Sequence, residues 1–143
     1  MCLLKISSSQ ELEIVAPPND AVVTAGSTVE LGCEINQQYE GPFEWLTYIG
    51  GQQGGTQLCY GPPFTPISSK YSQFGDYGLE ISNVEWRDAG KYVCKFLRGN
   101  VRATAVVIVV GQWMSSFFYF CVYSSSEMSF CHFKISVIQI IFT

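Results

Sequence analysis

Charge and histidine are scarce in this sequence. Charged residues make up 14% of its 143 residues, with eight basic side chains against twelve acidic ones and a single histidine, His132. A formal net charge of −4 argues against a protein that binds nucleic acid or an anionic membrane surface, because both need a basic footprint. Because His132 lies near the end of the chain, no Ser-His or Cys-His pair can be built within the first 111 residues. The composition therefore excludes the usual nucleophilic catalysts.

Motifs for metals, phosphates and glycans are also missing. No Cys-x-x-Cys spacing occurs, so a structural zinc site is not expected. The glycine-rich run at residues 50–55 precedes no helical pattern, so it does not predict a phosphate loop. Glu85 and Asp88 fall on a predicted turn, where solvated charge is the simpler interpretation. We expect no catalytic residue, no metal site and no cofactor, and the absence of an Asn-x-Ser/Thr sequon predicts that no N-linked glycan shields the surface.

The first residues lack the features of a secretory signal peptide. The apolar patch at residues 1–6 is short and is interrupted by Lys5. Six cysteines are nevertheless many for a cytosolic protein. We therefore expect the sequence to be a fragment or an incomplete gene product whose leader is missing.

Alternating apolar residues indicate β-strands along most of the chain. In residues 28–35, Val29, Leu31, Cys33 and Ile35 share one side, which predicts a half-buried strand. In residues 43–49 the inward side carries Phe43, Trp45 and Thr47. Pro17 and Pro18 should end an edge strand that begins near residue 11, since proline cannot donate to a ladder. The other predicted strands span residues 20–24, 56–60, 69–72, 77–82 and 101–110, with Leu79 and Ile81 facing inward.

The spacing Cys33…Trp45…Asp88-x-Gly90-x-Tyr92-x-Cys94 resembles the signature of the immunoglobulin superfamily, over roughly residues 12–111. The resemblance implies an all-β fold, an antiparallel sandwich of two sheets with Greek-key connections. It also implies one inter-sheet disulfide between Cys33 and Cys94, with Trp45 packed against it. Tyr92 would form the tyrosine corner, and Leu31, Leu79 and Ile81 would complete the core.

Further resemblance favours the variable type of this superfamily over the intermediate type. The 61-residue separation of Cys33 and Cys94 leaves room for an additional strand between them. Lys70, followed by Tyr71, is similar to the basic-aromatic pair whose base forms a salt bridge with the Asp88 carboxylate. Lysine replaces the more usual arginine, which removes a bidentate contact. The segment after Trp45 also lacks the ending typical of antibody chains, so the sequence is not that of an antibody.

Three segments are expected. Residues 1–11 form an N-terminal segment that we expect to be disordered, residues 12–111 form the domain, and residues 112–143 form a hydrophobic tail outside it. Residues 113–126 are uncharged but fall short of the roughly twenty apolar residues that a membrane helix needs. We interpret the tail as a gene-model artefact such as a translated intron, with a transmembrane helix as the alternative. Cys2, Cys59, Cys121 and Cys131 have no predicted partner.

The resemblance implies recognition of another protein, including another immunoglobulin-like domain, by an extracellular or cell-surface receptor or adhesion molecule. The membrane would be reached only through a missing or poorly defined segment. An exposed apolar face is a common interaction site, and the loops at residues 37–40 and 98–100 offer a second surface. The alternative is a structural module in an intracellular array of filament-associated immunoglobulin-like domains. The candidate binding face, on the outside of the predicted sheet, comprises Glu44, Leu46, Tyr48, Val93, Lys95 and Leu97.

Overall fold

The computed structural model describes residues 10–49, 53–112, 119–123 and 131–133. The predicted N-terminal segment, apart from its last two residues, lies outside these ranges, as do Cys2 and most of the tail. The described ranges contain strands and one 3₁₀ turn, Trp86–Asp88, and no α-helix. The strands are β1 (Ile14–Ala16), β2 (Ala21–Thr24), β3 (Val29–Leu31), β4 (Glu34–Ile35), β5 (Phe43–Tyr48), β6 (Thr56–Gly61), β7 (Thr65–Pro66), β8 (Tyr71–Phe74), β9 (Gly78–Ile81), β10 (Gly90–Phe96), β11 (Val101–Gln112), β12 (Tyr119–Tyr123) and β13 (Cys131–Phe133).

The larger sheet is built around β10, which lies between β5 and β11 and pairs antiparallel with both. It continues from β5 to β6 and then to the short β7. β2 pairs in parallel with β11, and β12 pairs antiparallel with the last residues of β11 and with β13. The hairpin between β10 and β11 turns at Gly99 and Asn100, whose φ angles of 86° and 52° lie in the left-handed region.

The smaller sheet has the order β3-β9-β8, and β1 pairs with β4 beside it. The single strand predicted over residues 28–35 is therefore two strands, because β3 pairs with β9 whereas β4 pairs with β1. Pro17 and Pro18 lie where the chain leaves β1 and crosses to the larger sheet as β2. The strand predicted at residues 69–72 lies two residues later, as β8.

The two sheets enclose one continuous core. Every inward residue of β5 is buried, as the alternation predicted, namely Phe43, Trp45 and Thr47. Cys33 and Cys94 form a disulfide between the sheets. The predicted fold class, an immunoglobulin-like antiparallel sandwich with one inter-sheet disulfide, is confirmed. The core residues are Val29, Leu31, Cys33, Phe43, Trp45, Leu58, Cys59, Leu79, Ile81, Val84, Ala89, Tyr92, Cys94, Phe96, Ala105, Val107 and Val109.

Candidate recognition surface

Trp45 lies at the centre of the core beneath the candidate surface. Its two neighbours across the sheet are Cys94 on β10 and Cys59 on β6. The indole Nε1 donates a hydrogen bond to the carbonyl oxygen of Tyr77, 2.8 Å away, just before β9. The disulfide and this hydrogen bond thus fix the larger sheet against the smaller one at the same place.

A polar cluster around Asp88 closes one end of the sandwich. The Tyr92 hydroxyl donates to the main-chain oxygen of Asp88 at 2.6 Å, as in a tyrosine corner. Burial, reinforced by the nearby Asp88 charge, raises the pKa of Tyr92, so its hydroxyl stays protonated and donates. The Asp88 carboxylate accepts from the Glu85 amide at 2.7 Å and lies 2.5 Å from the Lys70 ammonium. These groups hold the turn before β10 in place.

Cys59 is a free thiol in the same core. Burial raises its pKa to about 11, with a smaller contribution from the Glu44 charge. A thiol that stays protonated and closed to solvent is a poor nucleophile and a poor metal ligand. The described residues also contain no group of His, Cys, Asp and Glu side chains placed to hold a metal ion.

The outer face, meaning the side of β5, β6, β10 and β11 that points away from the core, is ordered by the strand register. One row across the sheet runs from Tyr60 through Glu44 and Lys95 to Arg102. The next row runs from Gln57 through Leu46 and Val93 to Thr104, and a third contains Tyr48, Lys91 and Val106. The six residues of the predicted binding face therefore lie together, with Leu97 at the hairpin end.

The predicted face is less exposed than alternation alone indicated. Val93 is only 6% exposed, although it does not belong to the core cluster, because Leu46 and Thr104 flank it in the same row. Leu46 and Tyr48 are half-buried, and the Tyr48 ring lies against the backbone of Gly55. Leu97 is 39% exposed. The expectation that Val93 is exposed is therefore wrong.

An ion pair crosses the outer face. Lys95 Nζ lies 3.4 Å from one carboxylate oxygen of Glu44, and the other oxygen accepts a 2.7 Å hydrogen bond from Gln57. The three side chains come from three adjacent strands, so this network fixes their positions relative to one another.

Sequence reasoning missed six residues of this face, namely Gln57, Tyr60, Lys91, Arg102, Thr104 and Val106. A β-bulge in β6 buries both Leu58 and Cys59, so simple alternation fails before Tyr60, which is 43% exposed. Strand alternation places Lys91 on the same side as Val93 and Lys95, so the sequence alone could have identified it. The position of Arg102 opposite Lys95 depends on the hairpin register.

The loops at one end of the sandwich form the second predicted surface. They line an open cleft of about 510 Å³. The Tyr39 hydroxyl donates to the Pro42 oxygen at 2.9 Å and accepts from the Arg98 amide at 3.1 Å. The Tyr39 ring meets Phe96 edge-on at 5.2 Å, so the loops are anchored in the core. The cleft residues are Leu12, Gln37, Gln38, Tyr39, Glu40, Gly41, Arg98 and Gly99.

A membrane-spanning element was the alternative for the tail. The described ranges contain no helix that is long and apolar enough to cross a bilayer. The backbones of β12 and β13 extend the larger sheet within that tail.

Comparison with known proteins identifies a family and relatives that are longer than this chain. A family profile described as immunoglobulin domain matches residues 13–96. Human signal-regulatory protein beta-1 is 29% identical over 107 residues, which is 68% of this chain and 26% of that protein. Synaptogenesis protein syg-1 of Caenorhabditis elegans is 29% identical over 111 residues, covering 75% and 15% respectively. Mouse roundabout homolog 1 is 34% identical over 85 residues, which is 58% of this chain and 5% of that protein. The chain thus spans about a quarter or less of the length of these relatives.

Solved structures share the architecture. A chain of the RIG-5 IG1 homodimer superposes with a TM-score of 0.58 at 20% identity, covering 69% of this chain and 97% of that one. A chain from the complex of Dpr11 IG1 with DIP-gamma gives a TM-score of 0.60 at 15% identity, covering 79% and 65%. A chain from the complex of titin M10 with obscurin-like 1 superposes with a TM-score of 0.54 at 26% identity. The match covers 70% of this chain and 94% of that one.

Proposed function

This chain belongs to the immunoglobulin domain family, and we propose that it is a non-catalytic recognition module of a cell-surface receptor or adhesion molecule. Its partner would be another protein, and an immunoglobulin-like domain is one candidate. The names of its relatives, a signal-regulatory protein and a synaptogenesis protein, support a role in recognition. The disulfide between Cys33 and Cys94 supports an oxidising, extracellular location.

The outer face is the binding surface in this proposal. The observation that carries it is the arrangement of that face, where half-buried Leu46 and buried Val93 form an apolar centre with Lys95, Tyr60 and Leu97 around it. Protein interfaces commonly combine an apolar centre with a polar rim. The cleft between the end loops is the competing surface.

We also propose that the domain is variable-like and spans residues 12–111. Two strands, β6 and β7, occupy the segment between β5 and β8, and Lys70 pairs with Asp88. The core cluster extends from Val29 to Val109, so it is contained within these limits.

A panel experiment tests the binding surface. The chain, multimerised on beads, would be applied to an array of extracellular immunoglobulin-domain proteins, with Leu97→Arg as the outer-face variant. Val15→Arg is the matched control, because Val15 is an exposed aliphatic residue on β1, away from this face. We expect Leu97→Arg to weaken binding at least tenfold, the rough effect of losing an interface hot spot, and Val15→Arg to have little effect. Loss of binding with Gln38→Arg but not with Leu97→Arg would move the site to the end loops.

An intracellular load-bearing module is the second candidate, supported by the likeness to the titin complex at 26% identity. Such a module would keep Cys33 and Cys94 reduced. Alkylating the protein in its native tissue before reduction, followed by mass spectrometry of the two cysteine peptides, decides between the two. Alkylated Cys33 and Cys94 would favour the intracellular module.

A further inference from the structure

Basic side chains dominate the outer face. Lys91, Lys95 and Arg102 all project from it, and Lys91 and Arg102 are exposed. Within the described ranges neither Lys91 nor Arg102 forms an ion pair, and Arg102 makes only a long 3.5 Å contact with Asn100. The basic character of this face contrasts with the net charge of −4 of the whole chain.

The carboxylates near this face are already engaged. One oxygen of Glu44 pairs with Lys95 and the other accepts from Gln57, so the charge of Glu44 already compensates that of Lys95. At the edge of the sheet, Asp20 accepts a 2.7 Å hydrogen bond from the Val106 amide. Neither group neutralises Lys91 or Arg102.

The opposite side of the sandwich has the reverse charge. Glu30 on β3 and Glu80 on β9 lie directly across from each other, and each is at least partly exposed. The Ser72 hydroxyl donates to Glu80 at 2.8 Å. The two carboxylates place negative charge on the side of the sandwich opposite the outer face.

We infer that the outer face binds an acidic protein surface and does not pair with the same face of a second copy. In a two-fold symmetric pairing, each residue of the face meets the same patch of the partner. Each copy would then bring three basic side chains, Lys91, Lys95 and Arg102, and the single carboxylate of Glu44 to the contact, so the two faces would repel each other. An acidic partner instead pairs with the unneutralised cations around the apolar centre, which favours both encounter and specificity. This inference rests on the proposed use of the outer face for recognition.

The probe for this inference is the chain itself with an acidic outer face, made by Lys91→Glu together with Arg102→Glu. Both side chains are exposed and free of ion pairs in the described structure, so the change should leave the fold intact, which circular dichroism and thermal melting would verify. The matched control carries Arg87→Glu, Thr28→Glu and Gln73→Glu, which change the net charge equally at exposed positions off the outer face.

Sedimentation velocity would then be measured for wild type, variant, control and their equimolar mixtures at low and high salt. We expect wild type and variant to be monomeric alone and to form a 1:1 complex when mixed. The dissociation constant should rise at least tenfold from low to high salt, roughly the sensitivity expected of electrostatically steered association. The control should not form a complex with wild type.

Three outcomes would overturn the inference. The first is self-association of the wild type that disappears in the Lys91→Glu, Arg102→Glu variant. Recognition through this face would then be homophilic, and the proposed function would still hold. The absence of a complex in the mixture at low salt would mean that the charges do not direct binding. Binding of a heparin fragment by wild type but not by the variant, without a protein complex, would replace the acidic protein by a polyanion. Failure of the proposed function itself is measured separately, by the Leu97→Arg panel.

Discussion

The pair formed by Lys70 and Asp88 should respond asymmetrically to removal of either partner. The Asp88 side chain is 8% exposed and that of Lys70 is 24% exposed. Lys70→Met would leave a carboxylate in a nearly closed site with only the Glu85 amide as donor. Removing one partner of a buried ion pair costs about 3–5 kcal/mol, and the remaining amide hydrogen bond places this variant near the lower limit, at about 3 kcal/mol.

Asp88→Asn should cost less. An asparagine keeps the shape and can still accept from the Glu85 amide, while the Lys70 ammonium retains its 3.3 Å contact with the Asn83 oxygen and can reach water. We expect a loss of about 1–2 kcal/mol, close to that of one hydrogen bond to a charged group. The double variant removes both charges, so it should be more stable than Lys70→Met alone.

Urea unfolding of wild type, Lys70→Met, Asp88→Asn and the double variant at neutral pH measures these differences as a double-mutant cycle. Arg87→Met is the control, because it breaks the exposed pair between Arg87 and Glu85 and should leave the unfolding midpoint nearly unchanged. The reasoning from burial would be refuted if Asp88→Asn were as destabilising as Lys70→Met, or if the two single effects simply added in the double variant.

Three further predictions concern the core. Because the pKa of Cys59 is raised to about 11 in the folded chain, from an ordinary value near 9, its contribution to stability is complete below pH 9 and is lost as the pH rises to 11. The free energy of unfolding of Cys59→Val should therefore rise relative to that of wild type as the pH increases from 9 to 11. A difference that stays constant over this range would contradict the raised pKa of Cys59. Reducing the bond between Cys33 and Cys94 opens a 61-residue separation and should cost about 4 kcal/mol in urea unfolding; a loss below 1 kcal/mol would mean that the unfolded chain is already compact. Gly78→Ala should cost about 1–3 kcal/mol, since a Cβ there would lie 2.7 Å from the Leu31 carbonyl oxygen, whereas Gly54→Ala meets open space and serves as its control; equal melting temperatures would refute the packing argument.

The fold was predictable because its strongest signals are local. Alternation placed Val29, Leu31 and Cys33 on one side of a strand, and each of them is buried. Family resemblance supplied the pairing of Cys33 with Cys94, which no local pattern contains. The split of residues 28–35 into two strands was missed, because it depends on which strands pair with each half.

The candidate surface was less predictable for the same reason. Alternation identifies the side of a strand but not its neighbours in the sheet. It indicated that Val93 points outward, but not that Val93 lies between Leu46 and Thr104 and is buried. The bulge in β6 shifts the alternation, and Tyr60 could be placed on the face only from the paired structure. The charge of the face likewise depends on register, since Arg102 reaches it by pairing opposite Lys95.

The outer face is formed by the same strands as the core. On β5 the outward Glu44 and Leu46 alternate with the inward Phe43, Trp45 and Thr47, which are all buried. The surface residues therefore cannot move far without disturbing the packing around Trp45. Binding to a rigid surface requires little ordering of the backbone, and that ordering cost is a large part of what opposes association. Substitutions of its exposed residues, such as Lys91, Leu97 and Arg102, should consequently change affinity through lost contacts and charge, with little effect on the free energy of unfolding.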